Sequence, residues 1–237
     1  MELLRIDKII SSQTGMSRSD ARDAIRRGEI VADGRTVRSG DEKIDPSLSV
    51  ISYRGEMITY RKFTYIMMNK PLGVVSATTD PKEPTVLGLL PASLRRNGLF
   101  PAGRLDKDTT GMLIITDDGD FAHRMLAPGK GTWKTYEATL DGPLPEGAAE
   151  AFSAGIMIGG GEVCLPAEVE KTGKNTVRVR IREGKYHQVK RMFTALSLRV
   201  ISLRRMAIGT LSLDESLAPG ECRLLREDEI GNLLKNH

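Results

Sequence analysis

The stretch GRLDKDTTGMLIITDDG, Gly103 to Gly119, places an arginine and two aspartates directly before an apolar run. The run MLIIT has the length and the β-branched content of a buried strand, and the DDG that follows is typical of a strand end. Asp106 and Asp108 therefore lie in a turn just before a buried strand. The chemistry of this turn decides which class of protein the chain belongs to.

Three kinds of site are compatible with these two aspartates. A calcium loop of EF-hand type needs further oxygen ligands and a closing glutamate, but the next glutamate is Glu137. A phosphatase with an aspartyl nucleophile has the pattern D-x-D-x-[TV], which DKDTT matches, but its apolar strand precedes the first aspartate. In the third kind Asp106 is a single catalytic carboxylate, and Arg104 lies on the same side of an extended chain. An aspartate before a glycine-containing turn is also common as a capping acceptor, so the residues alone leave these alternatives open.

The composition excludes several classes. Of 237 residues, 40% are hydrophobic and 28% are charged, which is typical of a folded soluble protein. The charged start MELLRIDKII excludes a secretory signal peptide, and no apolar run approaches the roughly 20 residues of a membrane helix. Cys164 and Cys222 are far apart, and the three histidines do not cluster. We therefore expect a cytoplasmic protein with no disulfide framework and no metal site.

Positive charge is concentrated in one segment. Residues 171–213 contain eleven lysines and arginines and one acid, Glu183, so this segment carries +10 and the rest of a chain of net charge +4 carries −6. A solvated face would be the ordinary explanation for scattered charges. So large an excess in one segment instead favours a polyanionic partner.

The first part of the chain predicts a small module with a basic helix. Ser17 is a good N-cap, Gly28 a good helix end, and EIVADGRTV reads as strand, Asp-Gly turn and strand. Arg18, Arg22 and Arg26 recur every four residues on one helix face, which suits RNA phosphates. Salt bridges to Asp20 and Asp23 on an ordinary surface helix are the alternative.

The rest of the chain predicts a second, larger domain. TYRKFT is a short linker, and the following YIMMNK is an apolar strand. TVRVRIR alternates apolar and basic residues as a strand does, and HQVKRMFTAL reads as a helix. We predict an α+β protein with an N-terminal module at 1–58, a linker at 59–64 and a domain at 65–237. The larger domain should have a mainly antiparallel mixed sheet flanked by helices.

Two resemblances extend these predictions. RIDKIISSQTGMSRSDARDAIRRGEIVADGRTV resembles the RNA-binding module first recognised in the fourth protein of the small ribosomal subunit. GRLDKDTTG resembles the central G-R-L-D-x-x-T-x-G motif of the pseudouridine synthases, and four further stretches occur in that family's order and spacing: MNKPLGVVSA, KTYEATL, EGKYHQVKRMF and LRRMAIGTLSL. YHQVKRMF and KEPTVLGLLP resemble the branch that acts on small-subunit rRNA.

The family resemblance implies a reaction and a set of residues. Uracil is detached from its ribose, turned, and rejoined through carbon 5, which requires no cofactor. By position, Asp106 is the essential carboxylate, Tyr136 stacks on the target base, and Lys190 pairs with Asp106, although adjacent Arg191 could make that pair instead. The resemblance gives the substrate-binding residues as Arg104, Lys134, His187, Gln188 and Arg191, and the RNA-binding residues as Arg18, Arg22, Arg26 and Arg27.

The leading hypothesis is an isomerase that converts one uridine of 16S rRNA to pseudouridine. The resemblance places this uridine at position 516, in the 530-loop hairpin. One alternative is an enzyme of the same branch that acts on 23S rRNA, and another is a non-catalytic rRNA-binding assembly factor. The expected partner is 16S rRNA or the assembling small subunit, without a membrane, and we expect the protein to be a monomer.

Overall fold

The computed structural model describes residues 3–127 and 132–235, and the chain divides into two compact units. Unit 1 runs up to Thr64 and includes Leu90–Leu99, whereas unit 2 comprises Tyr65–Leu89 and the residues from Phe100 onward. Inside unit 1, the Asn97 side chain donates to the carbonyl of Met16 at 2.8 Å. The boundaries expected from the sequence, 1–58, 59–64 and 65–237, stay a prediction. The structure differs from them by grouping 90–99 with unit 1.

Unit 1 consists of short helices and strands around one apolar cluster. The core comes mainly from isoleucines and alanines of its two helices and first hairpin. Its elements are β1 (Leu4–Arg5), α1 (Ile6–Thr14), α2 (Arg18–Arg26), β2 (Ile30–Ala32), β3 (Arg35–Thr36), β4 (Lys43–Ile44), β5 (Ile51–Tyr53), β6 (Glu56–Ile58) and a 3-10 turn at Ala92–Leu94.

Local signals set the limits of helix α2 and the hairpin after it. Ser17 and Asp20 form a capping box, in which the Ser17 side chain accepts from the Asp20 amide at 3.1 Å and the Asp20 carboxylate accepts from the Ser17 amide. Gly28 follows the helix with a φ of 75°, and Asp33 and Gly34 both have the positive φ of a tight hairpin turn. The predicted helix and hairpin both occur where the sequence places them.

Unit 2 carries the larger sheet and the remaining helices. Its elements are β7 (Tyr65–Lys70), β8 (Phe100–Ala102), β9 (Thr110–Thr116), α3 (Gly119–Leu126), β10 (Lys134–Leu140), α4 (Ala148–Ala154), β11 (Met157–Ile158), β12 (Glu162–Val163), β13 (Glu168–Lys171), β14 (Thr176–Ile181), α5 (Gln188–Thr194), β15 (Val200–Ile208), β16 (Leu211–Ser212), β17 (Cys222–Leu224) and α6 (Glu227–Asn232).

The sheet of unit 2 is mixed and mainly antiparallel, as predicted. Its main path runs β13-β14-β10-β15-β9-β7-β17, with β16 paired to β15 and β8 paired to β9. Strands β9 and β15 pair in parallel, and the other pairs in this sheet are antiparallel. Helix α3 packs Phe121 and Met125 into a cluster with Met112 and Ile114 of β9. Phe152 of α4 meets Phe193 of α5 with ring centroids 5.4 Å apart.

This strand order positions the predicted site. Strand β15 lies between β9, which follows the Asp106 turn, and β10, which carries Tyr136. The turn and the tyrosine are therefore two strands apart in the sheet, although thirty residues separate them in the chain.

Among the helices of 3–127 and 132–235, none combines the length and apolarity needed to cross a membrane.

Candidate active site

Hydrogen bonds to main-chain groups hold the turn that carries Asp106. Ser76, which is buried, donates its hydroxyl to the carbonyl of Leu105 at 2.8 Å and accepts from the amide of the same residue at 3.1 Å. The Thr109 amide donates to the carbonyl of Asp106 at 3.1 Å. Asp106 is thus fixed on both sides by contacts that do not use its carboxylate, which leaves that group available for chemistry.

Lys70, at the end of β7, is a buried cation beneath the same turn. Its ammonium donates to the carbonyls of Thr109 at 2.8 Å and Pro71 at 3.0 Å, with a longer contact to the carbonyl of Lys107. Burial lowers the pKa of Lys70 to about 8, although the negative charge of Asp106 opposes the shift. The sequence analysis missed this residue. The sequence pattern that could have indicated a buried lysine is a lysine that ends an apolar strand directly before a proline.

Lys190 makes the ion pair with Asp106. The Lys190 ammonium lies 2.9 Å from Oδ2 of Asp106 and also donates to Asp108. Burial lowers the pKa of Lys190, but the hydrogen bonds to Asp108 and Asp106 outweigh it and the net pKa is raised. The same hydrogen bond from Lys190 lowers the pKa of Asp108. Nε2 of His187 lies 3.6 Å from the other carboxylate oxygen of Asp106.

Arg191, the alternative partner of Asp106, points elsewhere. Its guanidinium donates to Glu162 at 2.6 Å and to the carbonyls of Gly159 and Tyr186. These contacts tie the β11–β12 hairpin to helix α5. Consecutive residues of a helix point about 100° apart, so only one of the two basic residues can face the turn. The substrate-binding role expected for Arg191 stays a prediction without support from this geometry.

Tyr136 lies on the buried face of β10 and is 7% exposed. The guanidinium of buried Arg205 lies 3.4 Å from the Tyr136 hydroxyl and also donates to the carbonyls of Met112 and Gly103, both at 2.7 Å. Arg205 thus joins β9, the start of the Asp106 turn and the tyrosine. The sequence analysis included Arg205 in the basic segment and in the stretch LRRMAIGTLSL but assigned it no role.

A cleft brings together six of the eight predicted catalytic and substrate-binding residues. Its walls include these six: Arg104, Asp106, Tyr136, His187, Gln188 and Lys190. Thr109 also lines the cleft, and its buried hydroxyl oxygen has no hydrogen-bond partner among the described residues. Arg104 is exposed, and no described residue forms a hydrogen bond or ion pair with it. Within 3–127 and 132–235, the cleft therefore combines a paired carboxylate, an aromatic residue, a hydroxyl without a partner and a guanidinium without one.

Two predicted substrate-binding residues are buried, and their polar groups contact the protein. Lys134 is the first residue of β10 and is buried, its ammonium has a long contact to the Thr132 carbonyl, and burial lowers its pKa to about 8. Gln188 is buried at the cleft wall, donates to Glu183 at 2.8 Å and accepts from the Lys185 amide at 3.0 Å. These contacts hold the loop before α5, and substrate roles for both residues stay predictions.

The arginines of helix α2 all contact acids. Arg18 and Arg22 both bind the fully buried carboxylate of Asp7, which also accepts from Arg5. Burial alone would raise the pKa of Asp7, but the hydrogen bonds from these arginines lower it overall. Arg26 pairs with Asp23, as the surface-helix alternative expects, and Arg27 pairs with Glu29. About half of the Arg18 and Arg22 side chains is still exposed.

The basic segment is less positive than its residue count indicates. Arg178 and Arg180 pair across β13–β14 with Glu170 and Glu168, and Arg205 is 1% exposed.

In the described part of the chain, no group of three or more histidine, cysteine, aspartate or glutamate side chains could hold a metal ion.

Comparisons with known proteins identify relatives of this chain. The model of the family described as RNA pseudouridylate synthase matches residues 64–195. Two relatives are named ribosomal small subunit pseudouridine synthase A. The one from Vibrio cholerae is 42% identical to this chain and the one from Escherichia coli 41%, each over 98% of this chain and 100% of the relative. An RNA pseudouridine synthase of Bacillus subtilis, YtzG, is 41% identical over 96% of this chain and 97% of its own length.

A solved structure supports the same relationship. A crystal structure of a pseudouridylate synthase matches with a TM-score of 0.68 and 40% identity, over 97% of this chain and 99% of that one.

Proposed function

The chain belongs to the RNA pseudouridylate synthase family, and on this premise we propose that it isomerises one uridine of 16S rRNA to pseudouridine in the cytoplasm. The contact that carries the proposal is the Lys190–Asp106 ion pair at 2.9 Å, in a cleft lined by Tyr136. The relatives named for the small ribosomal subunit support an rRNA substrate. Uridine 516 is the target that we propose.

Asp106 acts on the ribose of the target nucleotide. It either attacks carbon 1′ as a nucleophile or removes the proton of carbon 2′ as a base, and both roles use its carboxylate anion. Lys190 holds that anion in place, and buried Lys70 adds a second positive charge beneath the turn. The bond from carbon 1′ to nitrogen 1 breaks, and a bond from carbon 1′ to carbon 5 forms. The proton on carbon 5 leaves and nitrogen 1 gains one, so the product is an isomer of the substrate.

Tyr136 provides the aromatic face for the uracil. Its ring lines the cleft, and the Arg205 guanidinium lies near its hydroxyl. A base taken out of an RNA structure loses its stacking, which costs a few kcal/mol, and an aromatic side chain replaces part of that stacking. In unit 2, the guanidinium of exposed Arg104 is available to a phosphate of the RNA. In unit 1, Arg18 and Arg22 of α2 are about half exposed and are likewise available to RNA phosphates.

The test of the catalytic assignment is tritium release from rRNA labelled at carbon 5 of uridine. We expect Asp106→Asn to slow release at least roughly 100-fold, the lower end of the contribution of one general base. Asp120→Asn, an exposed aspartate of helix α3, is the matched control and should retain the wild-type rate. An Asp106→Asn enzyme as fast as wild type would disprove the role of Asp106. A primary isotope effect with deuterium at carbon 2′ would identify the proton-abstraction route.

The substrate assignment needs a separate experiment. Carbodiimide mapping of rRNA from cells with and without the gene should show loss of one pseudouridine, at position 516 of 16S rRNA. Loss of a pseudouridine from 23S rRNA would contradict the proposed target but not the reaction. Purified protein that binds 16S rRNA and leaves no pseudouridine would favour the assembly-factor alternative.

A further inference from the structure

An exposed aromatic stack stands beside the cleft. The ring of Tyr186 lies on the ring of His187, with centroids 3.8 Å apart and an interplanar angle of 20°. Tyr186 is 76% exposed, whereas His187 lines the cleft. One face of the Tyr186 ring is covered by the histidine, so the exposed surface includes the opposite face.

The stack lies close to the carboxylate of Asp106. Nε2 at the edge of the His187 ring lies 3.6 Å from Oδ1 of Asp106, and the face of the same ring stacks on Tyr186. The exposed Tyr186 ring therefore adjoins a side chain that lines the cleft. The ring spacing of 3.8 Å is close to the rise of about 3.4 Å between successive nucleotides of a strand.

The backbone that presents the stack is strained and held firmly. His187 has a φ of 48° and a ψ of 33°, a left-handed conformation that costs a non-glycine residue free energy. Two partners enforce this conformation. Gln188 bonds both the amide and the carbonyl of Lys185, and Arg191 donates to the carbonyl of Tyr186 at 3.2 Å. Because Gln188 itself is anchored to Glu183, the loop presents the tyrosine in a defined orientation.

We propose that the exposed face of Tyr186 stacks an unpaired RNA base, the immediate neighbour of the uridine that enters the cleft. The inference rests on the proposed function and goes beyond it, because it requires an unpaired neighbour in the substrate. Removing a uridine from a stack leaves the adjacent base without one stacking partner, and an aromatic ring accepts any base because every base has a π-face. Arg104, exposed in the same cleft, supplies positive charge for the phosphate between the two nucleotides.

The first test compares variants of Tyr186 on naked RNA, from which ribosomal proteins are absent. In single-turnover tritium release, Tyr186→Ala should raise the RNA concentration at half-maximal rate about tenfold, within the range measured for loss of one stacked base. The rate at saturating RNA should stay within about twofold, since stacking on the neighbour binds substrate and transition state alike. Tyr186→Phe should behave as wild type.

Tyr186→Leu is the matched control, because it keeps an apolar side chain of similar reach but removes the π-face. It should resemble Tyr186→Ala. Full recovery with leucine, or no effect of alanine, would overturn the proposal. An alanine effect seen only on RNA that already carries ribosomal proteins would also overturn it, in favour of a protein contact.

The second test identifies the partner base. RNAs with an abasic nucleotide on the 5′ side or on the 3′ side of the target are compared with intact RNA. One of the two should weaken wild-type binding about tenfold and leave Tyr186→Ala unaffected, as expected when both changes remove the same contact. Additive losses at both positions would overturn the inference. Wild-type enzyme that forms no pseudouridine in intact RNA would overturn the proposed function itself, so the two failures are distinguishable.

Discussion

At the scale of single residues, the site consists of two carboxylates and two lysines around one turn. Asp106 and Asp108 share the ammonium of Lys190, while buried Lys70 binds the carbonyls of the same turn from below. Lys190 and Lys70 have opposite pKa shifts. Direct hydrogen bonds to carboxylates raise the pKa of Lys190, whereas burial lowers the pKa of Lys70 to about 8. The two lysines therefore respond differently to pH.

The lowered pKa of Lys70 predicts a pH dependence of stability. Its pKa is about 8 in the folded protein against an ordinary 10.5, so between these values the unfolded chain binds more protons at this residue. The free energy of unfolding should then rise with pH over that window. Relative to Lys70→Met, wild-type stability should increase by up to about 3 kcal/mol between pH 8 and 10.5 at 1.36 kcal/mol per pKa unit.

Urea denaturation at a series of pH values measures this difference. Lys134→Met is the companion variant, because burial lowers the pKa of Lys134 to about 8 as well, and it should show a change of the same sign. A wild-type advantage over Lys70→Met that stays constant from pH 8 to 10.5 would contradict the assignment.

At the scale of elements, the parallel pairing of β9 with β15 holds the site together. It joins the strand after the Asp106 turn to the strand that carries Arg205, with Gly111 opposite Arg205. Gly111 has a φ of 96°, and a Cβ there would lie 2.3 Å from the carbonyl oxygen of Arg205. The close approach of the two strands therefore requires glycine at this position.

Gly111→Ala should separate β9 from β15. Because the clash is with backbone, no side-chain rotation relieves it, and we expect a loss of at least about 3 kcal/mol in the free energy of unfolding. Gly119→Ala is the control, since an added Cβ there meets nothing within 4 Å at the first residue of helix α3. Thermal and urea unfolding measure both variants. A Gly111→Ala protein as stable as wild type would show that the strands can move apart without cost.

At the scale of the whole molecule, the two compact units are not continuous in sequence. Leu90–Leu99 belongs to unit 1, although residues of unit 2 precede and follow it. Arg96 donates to Thr64 at 2.6 Å and contacts Gln13, while Asn97 donates to Met16. Unit 1 is therefore built from two separate parts of the chain, and neither part has all of its partners without the other.

Truncation tests this arrangement. A protein that lacks residues 1–64 should be poorly soluble, because residues 90–99 lose these partners. A second truncation that also replaces 90–99 with a glycine-serine linker should be more soluble and should melt at a higher temperature. Soluble yield and thermal unfolding compare the two. Equal behaviour would mean that 90–99 needs no partner from 1–64.

Several elements and the family were predictable from the sequence alone. Strand β9, the capped helix α2 and the Asp33-Gly34 hairpin were predictable because side-chain period, capping and turn residues act over a few neighbouring positions. That Lys190 rather than Arg191 contacts Asp106 follows only from the three-dimensional structure, because it depends on how α5 is rotated against a turn 84 residues earlier. Nor does local sequence show that Lys70 and Arg205 are buried. Lysine and arginine are ordinarily exposed, and here carbonyl groups from distant segments bind their charges, an arrangement that exists only once the sheet has formed.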